Sequence, residues 1–194
     1  MIGTMDSFLP YLGLLILVAL QRGGELLVSQ RNRRRMESRG GVEAGADSYP
    51  WMVLLHASFL VSCGLEVWLL RRPLVPPLAI VMLVVLAAAS ALRVWVLMTL
   101  GELWCTRVVY VPGQPLVTGG PYRWLRHPNY LAVGLELAAL PLVHTAYLTA
   151  LVYGAANALV LRRRIAIEEA ALSRDCRYQE LFAGHRRLLP RRPR

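Results

Sequence analysis

The run YLAVGLELAALPLVHTAYLTALVYGAANALVL, residues 130–161, is too long for one bilayer crossing and too apolar for an ordinary soluble helix. A hydrocarbon core about 30 Å thick needs roughly 20 residues of helix. Pro141 and His144 divide the run, giving one helix near 130–140 and a second near 145–161. A proline in a helix interior removes a hydrogen bond and clashes with the preceding turn, so the break belongs there. The two segments read as a helical hairpin with a short first arm.

Upstream, three more apolar runs are long enough to span, at about 8–28, 51–70 and 75–98. The third begins with prolines, which the first turn of a helix tolerates. The chain has 194 residues, 56% of them hydrophobic, and a mean hydropathy of +0.43. That composition points to an all-α, integral-membrane bundle of about five spans. Residues 1–98 form a three-span N-terminal part, and 99–194 hold everything polar enough for chemistry. The opening MIGTMDSFLPYLGLLILVAL lacks a basic n-region and a small-residue cleavage site, and reads as a retained first helix.

The formal charge is +10, and every one of the 22 basic residues is arginine. Because the charge lies beside hydrophobic spans, anionic lipid headgroups are the expected partner and nucleic acid is not. Cys63, Cys105 and Cys176 are far apart and show no metal-ligand spacing, so neither a disulfide framework nor a metal site is expected.

Arginines set the orientation. Arg31, Arg33, Arg34, Arg35 and Arg39 follow the first span; Arg107, Arg123 and Arg126 follow the third; a dense set from Arg162 follows the fifth. Only Arg71 and Arg72 fall on the other side. The positive-inside rule then puts the N-terminus outside and the C-terminus in the cytoplasm of a bacterial inner membrane. The connector 101–128 and the tail 165–194 share that cytoplasmic face.

Inside the spans stand Arg22, Glu25, Glu66, Arg93 and Glu136. Ionisable groups at membrane depth are costly and turn toward the bundle interior, where they pair or line a cavity. Arg22 and Glu25, three apart, fit a pair. Glu136 fits either an internal ion pair or an acceptor pocket, and His56 and His144 read as satisfied bundle histidines.

The connector ends in GGPYRWLRHPNY, residues 119–130, which opens the hairpin. Gly119-Gly120-Pro121 marks a tight turn with backbone free for close approach. Pro128 stands at a helix start, where free N–H groups and the positive dipole end suit a carboxylate or phosphate. Tyr122, Trp124 and Tyr130 could stack on a heterocycle or form an interfacial aromatic belt. In the tail, RRRIAIEEAAL places Arg164 and Glu168 four apart on one helical face, with Glu169 beside them. These acids fit a solvated face or half of a polar site shared with the motif.

The run PLVTGGPYRWLRHPNY, an apolar hairpin, then RRRIAIEEAAL and RYQELF…HRRLLP together resemble the isoprenylcysteine carboxyl methyltransferase family, over about 100–194. The earlier region resembles it only as membrane helices, though RNRRRMESRGGVEAGADSYPWMVLLH is similar to bacterial members. The resemblance implies S-adenosylmethionine-dependent methyl transfer, with residues 99–194 as the methyltransferase core. It puts the cofactor segment on Gln114, Pro115, Leu116 and Val117, then Tyr122, then His127, Pro128, Asn129 and Tyr130. The cofactor-contacting glutamate falls on Glu168 and the acceptor-binding arginine on Arg164, with Glu136 added as a candidate catalytic residue. Gln114 replaces a histidine of eukaryotic members, and the tail between Glu168 and Tyr178 is shorter than theirs.

A carboxylate acceptor needs no base at neutral pH, whereas a phenol with pKa near 10 gains from a nearby arginine. The expected acceptor is lipophilic: a long-chain polyketide phenol or pyrone first, an isoprenylated thiol acid second. Two other classes are weighed. A sterol-type reductase using a nicotinamide cofactor would want more spans. A non-catalytic carrier or scaffold would use the rings and arginines only as anchors.

Overall fold

A computed structural model describes residues 4–175, 178–182 and 187–188. Its helices are α1 (Thr4–Ser38), α2 (Tyr49–Leu69), α3 (Pro76–Leu100), α4 (Pro128–Leu142), α5 (Tyr147–Asp175) and α6 (Tyr178–Phe182). Two short strands, β1 (Val42–Ala44) and β2 (Val108–Tyr110), pair antiparallel, with Glu43 opposite Val109. Three helical stretches, Asp6–Ser38, Ala46–Leu69 and Pro76–Leu103, are long and apolar enough to cross a membrane. Much of their surface is bare leucine, isoleucine and valine, such as Leu9, Leu17, Leu20, Val61 and Ile80, as a lipid-facing wall requires.

The hairpin is built from α4 and α5. The 15 residues of α4 rise about 22 Å, less than the roughly 30 Å hydrocarbon core. By contrast, α5 does not stop near residue 161 but continues for 29 residues to Asp175. No glycine or proline follows Gly154 within it, and Leu, Arg, Ala and Glu all favour helix, so nothing ends it where the hydropathy falls. Arg164, Glu168 and Glu169 therefore ride on the same rigid rod as the hairpin's second arm. The ribbon of β1 and β2 is also absent from the all-α expectation; Val108, Val109 and Tyr110 have the residue types that favour it.

One end of the bundle is closed by the α4–α5 turn. Tyr11 donates to the Leu140 carbonyl at 3.1 Å, His144 Nε2 lies 3.1 Å from Ser7 Oγ, and Thr145 donates to the Pro73 carbonyl at 2.7 Å. The first amides of a helix lack internal partners. Glu66 of α2 supplies them to α5, accepting from the Leu148 and Thr149 amides at 3.1 and 2.7 Å while Arg72 holds the same carboxylate at 2.7 Å.

The opposite end gathers the arginines. Arg35 and Arg39 pair with Glu102 at 2.6 and 2.7 Å, Arg107 with Glu43 at 2.7 Å, and Asn32 donates to the Gly101 and Trp104 carbonyls, both at 2.9 Å. Gly120 has φ 54° and lies against Thr99 so closely that a side chain there would collide with it. This is the close approach expected of the Gly-Gly-Pro turn, and it seats the connector on the end of α3.

Between the ends, Arg22 and Glu25 of α1, Arg93 of α3 and Glu136 of α4 form one charge-balanced quartet, in which Glu25, Arg93 and Glu136 are buried and Arg22 is half-buried. Arg93 holds both oxygens of Glu136, at 2.6 and 3.3 Å, and reaches Glu25 at 3.3 Å. Arg22 contacts Glu136 at 2.5 Å and pairs with Glu25. Cys63 is buried in the apolar core between α1, α2 and α4. Cys176, His185 and Arg186 lie outside the described residues.

Candidate active site

At the arginine-rich end the connector meets α5. Pro128 is the first residue of α4, fully buried, and fixes the turn that points His127 inward. The His127 ring stacks on Tyr130, centroids 5.5 Å apart, and stands between the two glutamates of α5. Its Nε2 donates to Glu169 at 3.1 Å, and its Nδ1 lies 3.8 Å from Glu168. Glu168 in turn accepts from the Tyr130 hydroxyl at 2.5 Å. The two halves of the sequence motif are thus joined through histidine, tyrosine and carboxylate.

Glu169 also anchors the chain beyond α6: Arg187 binds it through two nitrogens at 3.0 and 2.6 Å, and the Arg187 carbonyl accepts from the His127 amide at 3.1 Å. Burial opposes ionisation of Glu169, but hydrogen bonds from Arg187 and His127 outweigh it and hold the carboxyl below the ordinary carboxylate range. Burial, then the charge of Glu168, pushes the Tyr122 hydroxyl up, so it stays a donor at neutral pH. Tyr178 is raised by burial and by both glutamates, and its hydroxyl lies 3.4 Å from His127 Nε2.

Arg164 is buried one turn before Glu168. Its Nη2 donates to the Thr106 carbonyl at 2.7 Å, and its guanidinium lies 6.0 Å from the Tyr130 ring centre. Its Nε has no hydrogen-bond partner among the described residues.

Two cavities open here. The smaller, about 140 Å³, is lined by Gln114, Pro115, Leu116 and Val117 together with Tyr178 and Phe182. The larger, about 430 Å³, is lined by His127, Asn129, Tyr130 and Arg164 and runs between α1, α2 and α5 as far as Glu136. Tyr122, Arg126, Glu168 and Leu172 belong to both walls. Of the residues that the family resemblance assigns, Pro128 alone lines neither cavity and positions His127 instead; Trp124 and Glu169, also offered by the sequence, line neither, Trp124 packing on Trp95 with ring centroids 5.6 Å apart. Glu136 lines the large cavity but spends its carboxylate on Arg22 and Arg93.

Sequence reasoning did not single out Arg126, Trp104 or Asn157 as site residues. Asn157 carries a signal, being a lone amide in an apolar run seven residues before Arg164; Trp104 carries none.

The chain belongs to the isoprenylcysteine carboxyl methyltransferase (ICMT) family, whose model matches residues 80–174. It is 36% identical over 160 residues to the uncharacterised protein YpbQ of Bacillus subtilis, covering 82% of this chain and 94% of that one. An uncharacterised protein of Haemophilus influenzae is 27% identical over 149 residues, covering 76% and 86%. The solved structure of the eukaryotic intramembrane Ras methyltransferase ICMT is similar at a TM-score of 0.53 and 26% identity, covering 68% of this chain. The chain spans 50% of the length of that methyltransferase.

Proposed function

We propose that this protein transfers a methyl group from S-adenosylmethionine to an oxygen of a lipophilic acceptor, at the cytoplasmic face of a bacterial inner membrane. The observation that carries the reading is the pair of adjoining cavities that share Glu168, Tyr122 and Arg126. The smaller is lined by the segment that the family resemblance assigns to the cofactor. Its donor set fits: Glu168 suits an ammonium or ribose hydroxyls, Arg126 a carboxylate, and the tyrosines an adenine face. When bound, S-adenosylmethionine supplies an electrophilic sulfonium methyl, so the protein itself needs no nucleophile.

What the residues contribute is alignment and charge. Holding two reactants in line can supply roughly 7–11 kcal/mol of the barrier. Arg164, which lines the large cavity, binds the acceptor oxygen and stabilises its anionic form. His127, clamped by Glu169 and Arg187, fixes the connector against α5. Leu26, Met52 and Leu60 line the large cavity and give an acyl or prenyl tail an apolar path from the bilayer. A long-chain phenol or pyrone is the preferred acceptor, with an isoprenylated thiol acid second. The arginine clusters support a cytoplasmic site and C-terminus, with α4 and α5 read as the last two of five spans. Residues 99–194 then form the methyltransferase core, and α1 to α3 its membrane scaffold.

The test is an assay of the purified full chain in detergent with methyl-labelled S-adenosylmethionine and a long-chain resorcinol, pyrone or prenylated thiol acid. Label in the lipid extract as an ether or ester is expected. Reduction of an acceptor driven by NADPH, or no label on any of the acceptors, would overturn the reading.

A further inference from the structure

The run LLVSQRN, residues 26–32, carries α1 out of its apolar stretch, and Ser29 and Asn32 share one face of the helix. They are 3% and 2% exposed. Buried polar side chains must spend their hydrogen bonds on protein, and both spend them on the connector after α3. Asn32 holds the Gly101 and Trp104 carbonyls. Ser29 holds Thr106: the Thr106 amide donates to Ser29 Oγ at 2.9 Å, and the two hydroxyl oxygens lie 2.8 Å apart. The Cys105 thiol lies 3.3 Å from the same Ser29 oxygen.

Thr106 stands between Leu103 and β2, outside any helix or strand, so its fixity depends on such contacts. From α2 the Tyr49 hydroxyl adds one more, 3.3 Å from Thr106 Oγ1. The residue held this way is the one whose carbonyl accepts from Arg164 Nη2 at 2.7 Å. A carbonyl keeps a guanidinium only as still as its own backbone is kept. Thr106 and Arg164 line the large cavity, whereas Ser29 lines neither cavity and can touch no ligand in them.

We infer that Ser29 is a positioning residue for methyl transfer, fixing through Thr106 where the Arg164 guanidinium stands. The inference rests on the proposed methyl transfer for what Arg164 does, and on the hydrogen bonds alone for the link. It gives α1 a part in the reaction beyond that of a membrane scaffold.

Two measurements on the purified full chain in detergent test it, and the first needs no turnover. Labelling of Arg164 by a dicarbonyl reagent, read by peptide mass spectrometry, reports how firmly the guanidinium is held. Ser29→Ala should speed it about fivefold, the worth of one buried hydrogen bond, and leave the exposed Arg35 and Arg39 unchanged. Ser29→Thr keeps the hydroxyl and should label like the wild type. In the second measurement, Ser29→Ala should lower kcat with a phenolic acceptor about 10- to 100-fold while KM for S-adenosylmethionine holds. Added to Arg164→Ala it should cost nothing further, because the group it positions is gone.

Wild-type labelling of Arg164 in Ser29→Ala would overturn the inference. So would a loss of kcat that recurs in full on top of Arg164→Ala, as a general loosening of the fold would give. A wild-type protein that methylates none of the acceptors sinks the activity, and labelling then decides the link by itself. If Ser29→Ala fails to fold, as judged by gel filtration, Thr106→Val takes its place, since it deletes the hydroxyl and keeps the amide and carbonyl. The same outcomes then support or overturn the inference.

Discussion

Replacing Arg164 by alanine is expected to lower the turnover of methyl transfer about 100- to 1000-fold, the usual cost of removing one preorganised donor from a developing or reacting oxyanion. The guanidinium is buried, is held in place by the Thr106 carbonyl at 2.7 Å, and belongs to a residue that lines the large cavity. Binding of S-adenosylmethionine should stay close to wild type, because the small cavity is lined by Glu168 but not by Arg164. Arg164→Lys keeps the charge but not the fork geometry, so it should recover only part of the rate. With a phenolic acceptor the alanine variant should also need higher pH, since nothing then lowers the phenol's pKa of about 10. Initial rates across pH with phenol and carboxylate acceptors read both effects. A wild-type rate in Arg164→Ala would remove it from the reaction.

Glu136→Ala is expected to destabilise the fold by about 3–5 kcal/mol, because it leaves Arg93 and Arg22 sharing the single carboxylate of Glu25. The quartet is balanced, two guanidiniums against two carboxylates, and it ties α1, α3 and α4 together at membrane depth. Much of that loss is the penalty of the stranded arginines and not the worth of the pair. Replacing Arg93 and Glu136 together by leucine should therefore recover most of it, leaving Arg22 with Glu25. Denaturation of the purified variants in detergent measures this. If Glu136→Ala kept its stability yet lost turnover, the carboxylate would be a catalytic group and not a structural one.

The sequence showed the hairpin because Pro141 interrupts an apolar run of unmistakable length, and α4 does end just after it, at Leu142. It did not show that α5 runs on to Asp175, because the fall in hydropathy at Arg162 marks where lipid ends and not where helix ends. Three-residue strands are too short to leave a pattern. Spacing suggested the Arg22–Glu25 pair, but their partners Arg93 and Glu136 stand far along the chain, and only the packed bundle brings them together. The same division holds at the site. Tyr122, His127, Tyr130, Arg164 and Glu168 were legible from motif and family resemblance. Trp104 was not, because what distinguishes it is burial without a partner, a property no local pattern encodes; Asn157 left only the mark of a lone amide in an apolar run.

Backbone hydrogen exchange during titration with S-adenosylmethionine addresses the shared pocket most directly. The connector 114–130 and the α5 segment 164–169 should slow together, with the same dependence on ligand concentration. Protection of one without the other, or of neither, would mean that these two segments do not close on a single methyl donor.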